Sequence, residues 1–188
     1  MNRWCAIFAV ASLAAAGGCG GSGGGGPTFI ALASDFDGFT AWYSAALPPN
    51  PLSATVDPAG THVGFLNRRP PLGAKSYPVG TILVKAIEPA ADETTWEMFG
   101  MAKRGGGFNT GGADADGWEY FLLRVDGDGN PYITSRGLMP ANDGSDMGAG
   151  AYAPGGAAGG CNYCHGRDAY APTDHIISPP LIPAATAE

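Results

Sequence analysis

Cys161 and Cys164 stand two residues apart and His165 follows at once, in the run Cys161-Asn162-Tyr163-Cys164-His165. Thiols at this spacing add across the two vinyl groups of a porphyrin, and the adjacent imidazole is placed to ligate the iron from one face. A disulfide or half of a zinc site would use the same residues. Zinc, however, takes four ligands, and beyond the motif only His62 and His175 supply imidazole nitrogens. The expected cofactor is one covalent haem c, bound through Cys161 and Cys164 with His165 on the iron.

Function then turns on the opposite face of the iron. A sixth protein ligand makes an electron carrier, whereas an open position admits a small molecule. His62, His175, Met98, Met101, Met139 and Met147 are the candidates. His62 lies among Val63, Phe65 and Leu66 and reads as a structural or surface histidine, while His175, ten residues beyond His165, belongs near the proximal side. Met98 and Met101 read as strand-core positions and Met139 and Met147 as loop, so an open distal site is expected. Lys85 shares a strand face with Thr81, Leu83 and Ile87, against Ile82, Val84 and Ala86 on the other. A lysine so flanked snorkels at an edge or points into a pocket, where a desolvated amine gains nucleophilicity. Arg68, Arg69, Arg104, Arg124 and Arg136 are all available to haem propionates, and no spacing selects among them. Asp174 either bonds backbone amides after the motif or caps a turn.

The elements that must position these residues are short. Gly (31 residues) and Pro (16) are abundant. The helix candidate is Ser34 to Leu47, where Phe36, Phe39, Trp42, Tyr43 and Ala46 fall at helical spacing and Pro48-Pro49 ends the run. Strands are predicted at Thr61 to Asn67, Gly80 to Glu88, Trp96 to Lys103, Trp118 to Asp126 and Tyr132 to Ser135. The stretches Thr110 to Gly117 and Pro140 to Gly160 read as loops. Asp126-Gly127-Asp128-Gly129-Asn130 begins like a calcium loop, but Pro131 replaces the required glycine and Gly137 the bidentate glutamate, so a hairpin turn is the better account.

Upstream, Arg3 precedes a small-residue apolar stretch from Trp4 to Ala16, which has signal-peptide length and is too short to span a bilayer. Ala16-Gly17-Gly18-Cys19 resembles a lipobox, with Ala16 where leucine is usual, and Gly20 to Gly26 follows as a near-pure glycine tether. The expected organisation is a lipoprotein-type signal over 1–18, a lipidated Cys19 and tether over 19–33, and one haem domain over 34–188. That places the chain on the periplasmic side of a bacterial membrane, or free in the periplasm if Cys19 carries no lipid. The net charge of −7 argues against nucleic acid and leaves the lipid as the membrane contact.

Position narrows the haem class. Small electron carriers place the motif near the mature N-terminus, whereas here only 23 residues follow His165 and none is Met. The strand pattern excludes a four-helix bundle. The segment Tyr77-Pro78-Val79-Gly80-Thr81-Ile82-Leu83-Val84-Lys85 resembles the Y/F-P-x-G-T-x-x-x-K stretch of the cytochrome P-460 family. Met101-Ala102-Lys103, Gly117-Trp118-Glu119-Tyr120-Phe121, the haem motif and Thr173-Asp174 follow in the family's order, so the resemblance covers about Phe36 to Ile177. It implies an α+β domain, mainly an antiparallel β-sheet with a few flanking helices, often paired as a homodimer, with one pentacoordinate haem. It also implies small nitrogen compounds as ligands: hydroxylamine, oxidised with electrons passing to a periplasmic acceptor, or nitric oxide, bound without turnover. Whether the chain is an enzyme stays open between these two. In the oxidising members a lysine is cross-linked to the porphyrin, and Lys85 is the matching residue. The family pattern continues with glutamate, where this chain has Ala86.

Overall fold

A computed structural model describes residues 26–48, 60–88, 96–110, 117–137 and 160–181. Six strands form one antiparallel sheet in sequence order: β1 (Tyr43–Ala46), β2 (Thr61–Leu66), β3 (Ile82–Glu88), β4 (Glu97–Lys103), β5 (Trp118–Val125) and β6 (Pro131–Gly137). Each strand pairs with its chain neighbour, so every connection is a hairpin and no crossover occurs. The five strands expected from alternation are all present, within one or two residues of the expected ends. Pro131 opens β6 at a sheet edge, where its missing N–H removes no interior ladder bond.

Alternation divides the sheet into two faces. Val84 lies opposite Phe65 and Gly100, and Phe121 follows on β5; these residues belong to a cluster with Ile82, Ala86 and Leu123. Phe36 and Phe39 cap that cluster, Phe36 meeting Phe121 edge-on at 5.3 Å between ring centroids. The second face carries Leu66, Leu83, Met101 and Tyr120 in one register row, backed by Trp118, Tyr77, Ile176 and Leu181. Burial of each such side chain contributes about 1.5–3 kcal/mol, and the two faces together hold the large apolar residues of the sheet.

Two expectations are corrected here. The helix predicted over Ser34 to Leu47 is instead two 3-10 turns, Ala33–Phe36 and Phe39–Ala41, followed by β1. Gly38 breaks the run at φ +64, and Tyr43 to Ala46 extend to pair with Val63 to Leu66. An i, i+3 aromatic spacing serves a 3-10 turn as well as an α-helix. Secondly, the end of the expected tether belongs to the folded body. Thr28 bridges to Gly105, the Phe29 amide bonds the Arg104 carbonyl at 2.9 Å, and Ala31 is fully buried. Cys19, the signal stretch and the loops containing Met139 and Met147 lie outside the described residues.

The Asp126 turn is a hairpin, as expected. The Asp126 carboxylate accepts the Asn130 amide at 2.8 Å and the Asp128 amide at 3.0 Å, and these bonds, the Asn130 amide first, hold its pKa below the ordinary value.

Candidate functional site

Helix α1 (Gly160–His165) is short and lies against the second face of the sheet. One turn separates Cys161 from Cys164 and His165, which brings the three to one side of the helix. Cys161 packs on the cluster of Leu66, Leu83, Met101 and Tyr120, and the His165 ring lies 5.6 Å from that of Tyr120. Neither Cys161 nor Cys164 is in a disulfide.

The imidazole of His165 is fixed by a reciprocal exchange. Its Nδ1 lies 2.8 Å from the His175 carbonyl oxygen, and the Nδ1 of His175 lies 2.7 Å from the His165 carbonyl oxygen. A carbonyl only accepts, so each Nδ1 carries a proton. Burial pushes the pKa of His165 down to about 4, helped by the charges of Lys85 and His175 and opposed by the bond to the His175 carbonyl. Burial likewise pushes the Cys161 thiol up to about 12, against the Lys85 charge. His165 is therefore neutral with Nε2 available, the state in which an imidazole binds iron.

The chain returns from α1 through a 3-10 stretch, Asp168–Thr173, into two successive left-handed residues, Asp174 at φ +51 and His175 at φ +65. Asp174 is the hub of this turn. Its carboxylate accepts Lys103 Nζ at 2.5 Å and the Tyr77 amide at 2.7 Å, and its carbonyl accepts Trp118 Nε1–H at 2.9 Å. The Lys103 ammonium also lies 5.0 Å above the Trp118 ring, which meets Tyr77 edge-on. The Tyr77 hydroxyl bonds the Leu181 carbonyl, and burial is the first cause of its raised pKa.

Lys85 occupies the same face as Cys161, in the register row Gly64, Lys85, Phe99 and Leu122, with its ammonium 4.8 Å from the Phe99 ring centroid. Of the candidate sixth ligands, Met98 belongs to the opposite face, Met101 to the motif face, and His175 to the proximal exchange. The arginines separate as well. Arg104 and Arg136 bind Glu119 on the opposite face at 3.2 and 2.9 Å, and Arg68 donates to the Gly80 carbonyl at 2.9 Å. Arg69 lies over the Tyr43 ring beside a cleft of about 330 Å³ lined by Leu66, Tyr77 and Leu181.

The donor set fits a covalent haem: two thiols outside any disulfide one helical turn apart, and an adjacent neutral imidazole held through Nδ1. Tyr77, Lys103, Trp118 and Asp174 are visible in the sequence only as pattern residues. Their mutual contact spans separations of up to 97 residues, and no local pattern in the sequence joins them. Comparison with protein-family models, curated proteins and solved structures gave no match.

Proposed function

We propose that this chain is an exported mono-haem c-type cytochrome of the P-460 type, an α+β domain that offers an open iron position to small nitrogen compounds. The observation that carries the reading is His165: a buried imidazole with Nδ1 engaged by a carbonyl, next to two thiols outside any disulfide. Cys161 and Cys164 hold the haem, and His165 Nε2 is its axial ligand. The haem, when bound, supplies a redox-active iron with a face open to hydroxylamine or nitric oxide. The apolar row Leu83, Met101 and Tyr120 provides a dry wall, which strengthens polar contacts made inside it. Lys85 places an amine on that face.

The test is covalent haem. Wild type purified after export should keep a peroxidase-active haem band on a denaturing gel, and the double variant C161A/C164A should lose it. A band that survives in the double variant would end this reading. A non-enzymatic gas-binding or electron-transfer cytochrome is the second reading, favoured by Ala86 beside Lys85. An ordinary five-coordinate spectrum with no hydroxylamine turnover would select gas binding, and a six-coordinate spectrum the electron carrier, for which Met101 on the motif face is the residue to change first.

A further inference from the structure

The turn that follows the motif is strained and heavily anchored, and the His175 carbonyl within it accepts the hydrogen bond of His165 Nδ1–H. Two consecutive non-glycine residues in the left-handed region cost backbone free energy, so surrounding contacts must hold them there. The Asp174–His175 peptide is pinned at both ends. Its carbonyl accepts Trp118 Nε1–H at 2.9 Å, and its N–H donates to the Tyr170 carbonyl at 2.8 Å. The Asp174 side chain adds Lys103 from β4, in a pair whose side chains are only 11% and 7% exposed, and the Tyr77 amide from the loop before β3.

We propose that Asp174 is a positioning residue for His165: with Lys103, Tyr77 and Trp118 it holds the left-handed turn that aims the His175 carbonyl at His165 Nδ1, and so sets the donor strength of the imidazole toward iron. The proposal rests on the haem reading for its last step and on the protein alone for the others. An acceptor on Nδ1 raises the basicity of Nε2, as outer-shell partners of ligating histidines do elsewhere. A buried ion pair is a poor source of stability compared with apolar packing of the same volume. What this one supplies is direction: a carboxylate with two acceptor oxygens bridges a strand-borne ammonium and a loop amide, and no apolar side chain could hold both.

The experiment uses the full chain and two variants. D174N keeps the shape and one amide acceptor but loses the charge, whereas W118F removes a single hydrogen bond and keeps most of the ring packing. In haem-loaded protein, the ferrous iron–histidine stretch should move to lower frequency and the midpoint potential should rise in both variants, more in D174N. The haem band on a denaturing gel should keep its wild-type intensity. In isotope-labelled wild type before haem loading, NMR should find His165 as the Nδ1–H tautomer, and D174N should shift it toward the Nε2–H form. Unchanged stretch and potential in both variants, or an Nε2–H tautomer of His165 in unloaded wild type, would overturn the proposal. If D174N does not accumulate folded, W118F decides by the same readouts. If wild type carries no haem, the haem reading fails separately, and the tautomer measurement decides the positioning role.

Discussion

One proton, on Nδ1 of His165, organises the chemistry at residue scale, and it has a consequence for pH. The ordinary pKa of 6.5 falls to about 4 in the folded chain, chiefly through burial. Between these values the unfolded chain takes up a proton that the folded chain refuses. The stability contributed by neutral His165 is therefore whole above pH 6.5 and is lost as pH falls toward 4. Before haem loading, the urea midpoint should decline across that window. After loading, with Nε2 on the iron, this decline should vanish; equal slopes in both forms would show that His165 is not the titrating group. Lys85 carries the second residue-scale expectation. Its charge acts on both Cys161 and His165, which puts the amine near the motif, and the expectation under test is its attachment to the porphyrin. A digest of loaded protein should contain the Lys85 peptide joined to the haem peptide, and Lys85→Ala should abolish hydroxylamine oxidation while nitric oxide still binds. Two separate peptides would remove the cross-link. Cys161, Cys164 and His165 were legible in the sequence because their spacing is local. The Lys103–Asp174 pair was not, since its partners lie 71 residues apart; Asp174 alone reads as a bond to backbone amides or a turn cap, which does not point to Lys103.

At the scale of elements, period-two alternation located β2 to β6, because each buries one face against aromatic or branched neighbours. It failed over residues 34–47, where Phe36 and Phe39 satisfy both helix and 3-10 spacing and the decisive signal is Gly38 in the left-handed region. The 3-10 turn is held mainly by what it buries. Phe36 is fully buried against Phe121, while the turn itself has one short side-chain bond, Asp35 to the Leu32 amide at 2.7 Å. Phe36→Ala should cost roughly 3–5 kcal/mol, read as a lower urea midpoint with the haem spectrum unchanged. A loss under 1 kcal/mol would mean that the first-face cluster closes without this turn.

At the scale of the molecule, the glycine tether and Cys19 carry the expectation of a lipid anchor. Wild type should fractionate with membranes and Cys19→Ala should not; a fully soluble wild type would exclude the lipid. The sheet itself is a pure meander, so all its ladders join chain neighbours, whereas the thiol segment reaches back over long separations, Tyr77 to Leu181 and to Asp174. Loop closure makes such distant contacts late and slow to form. The sheet can thus assemble while α1 is still undocked, and the docked Cys161 thiol, pushed up to about 12, is a poor nucleophile. Pulse alkylation during refolding should find both thiols reactive after the β3–β5 amides are already protected. Simultaneous protection would contradict this order. On the proposed haem reading, maturation has a built-in interval: attachment acts on a chain whose receiving wall is finished and whose thiols are still in water, and docking of α1 closes that interval.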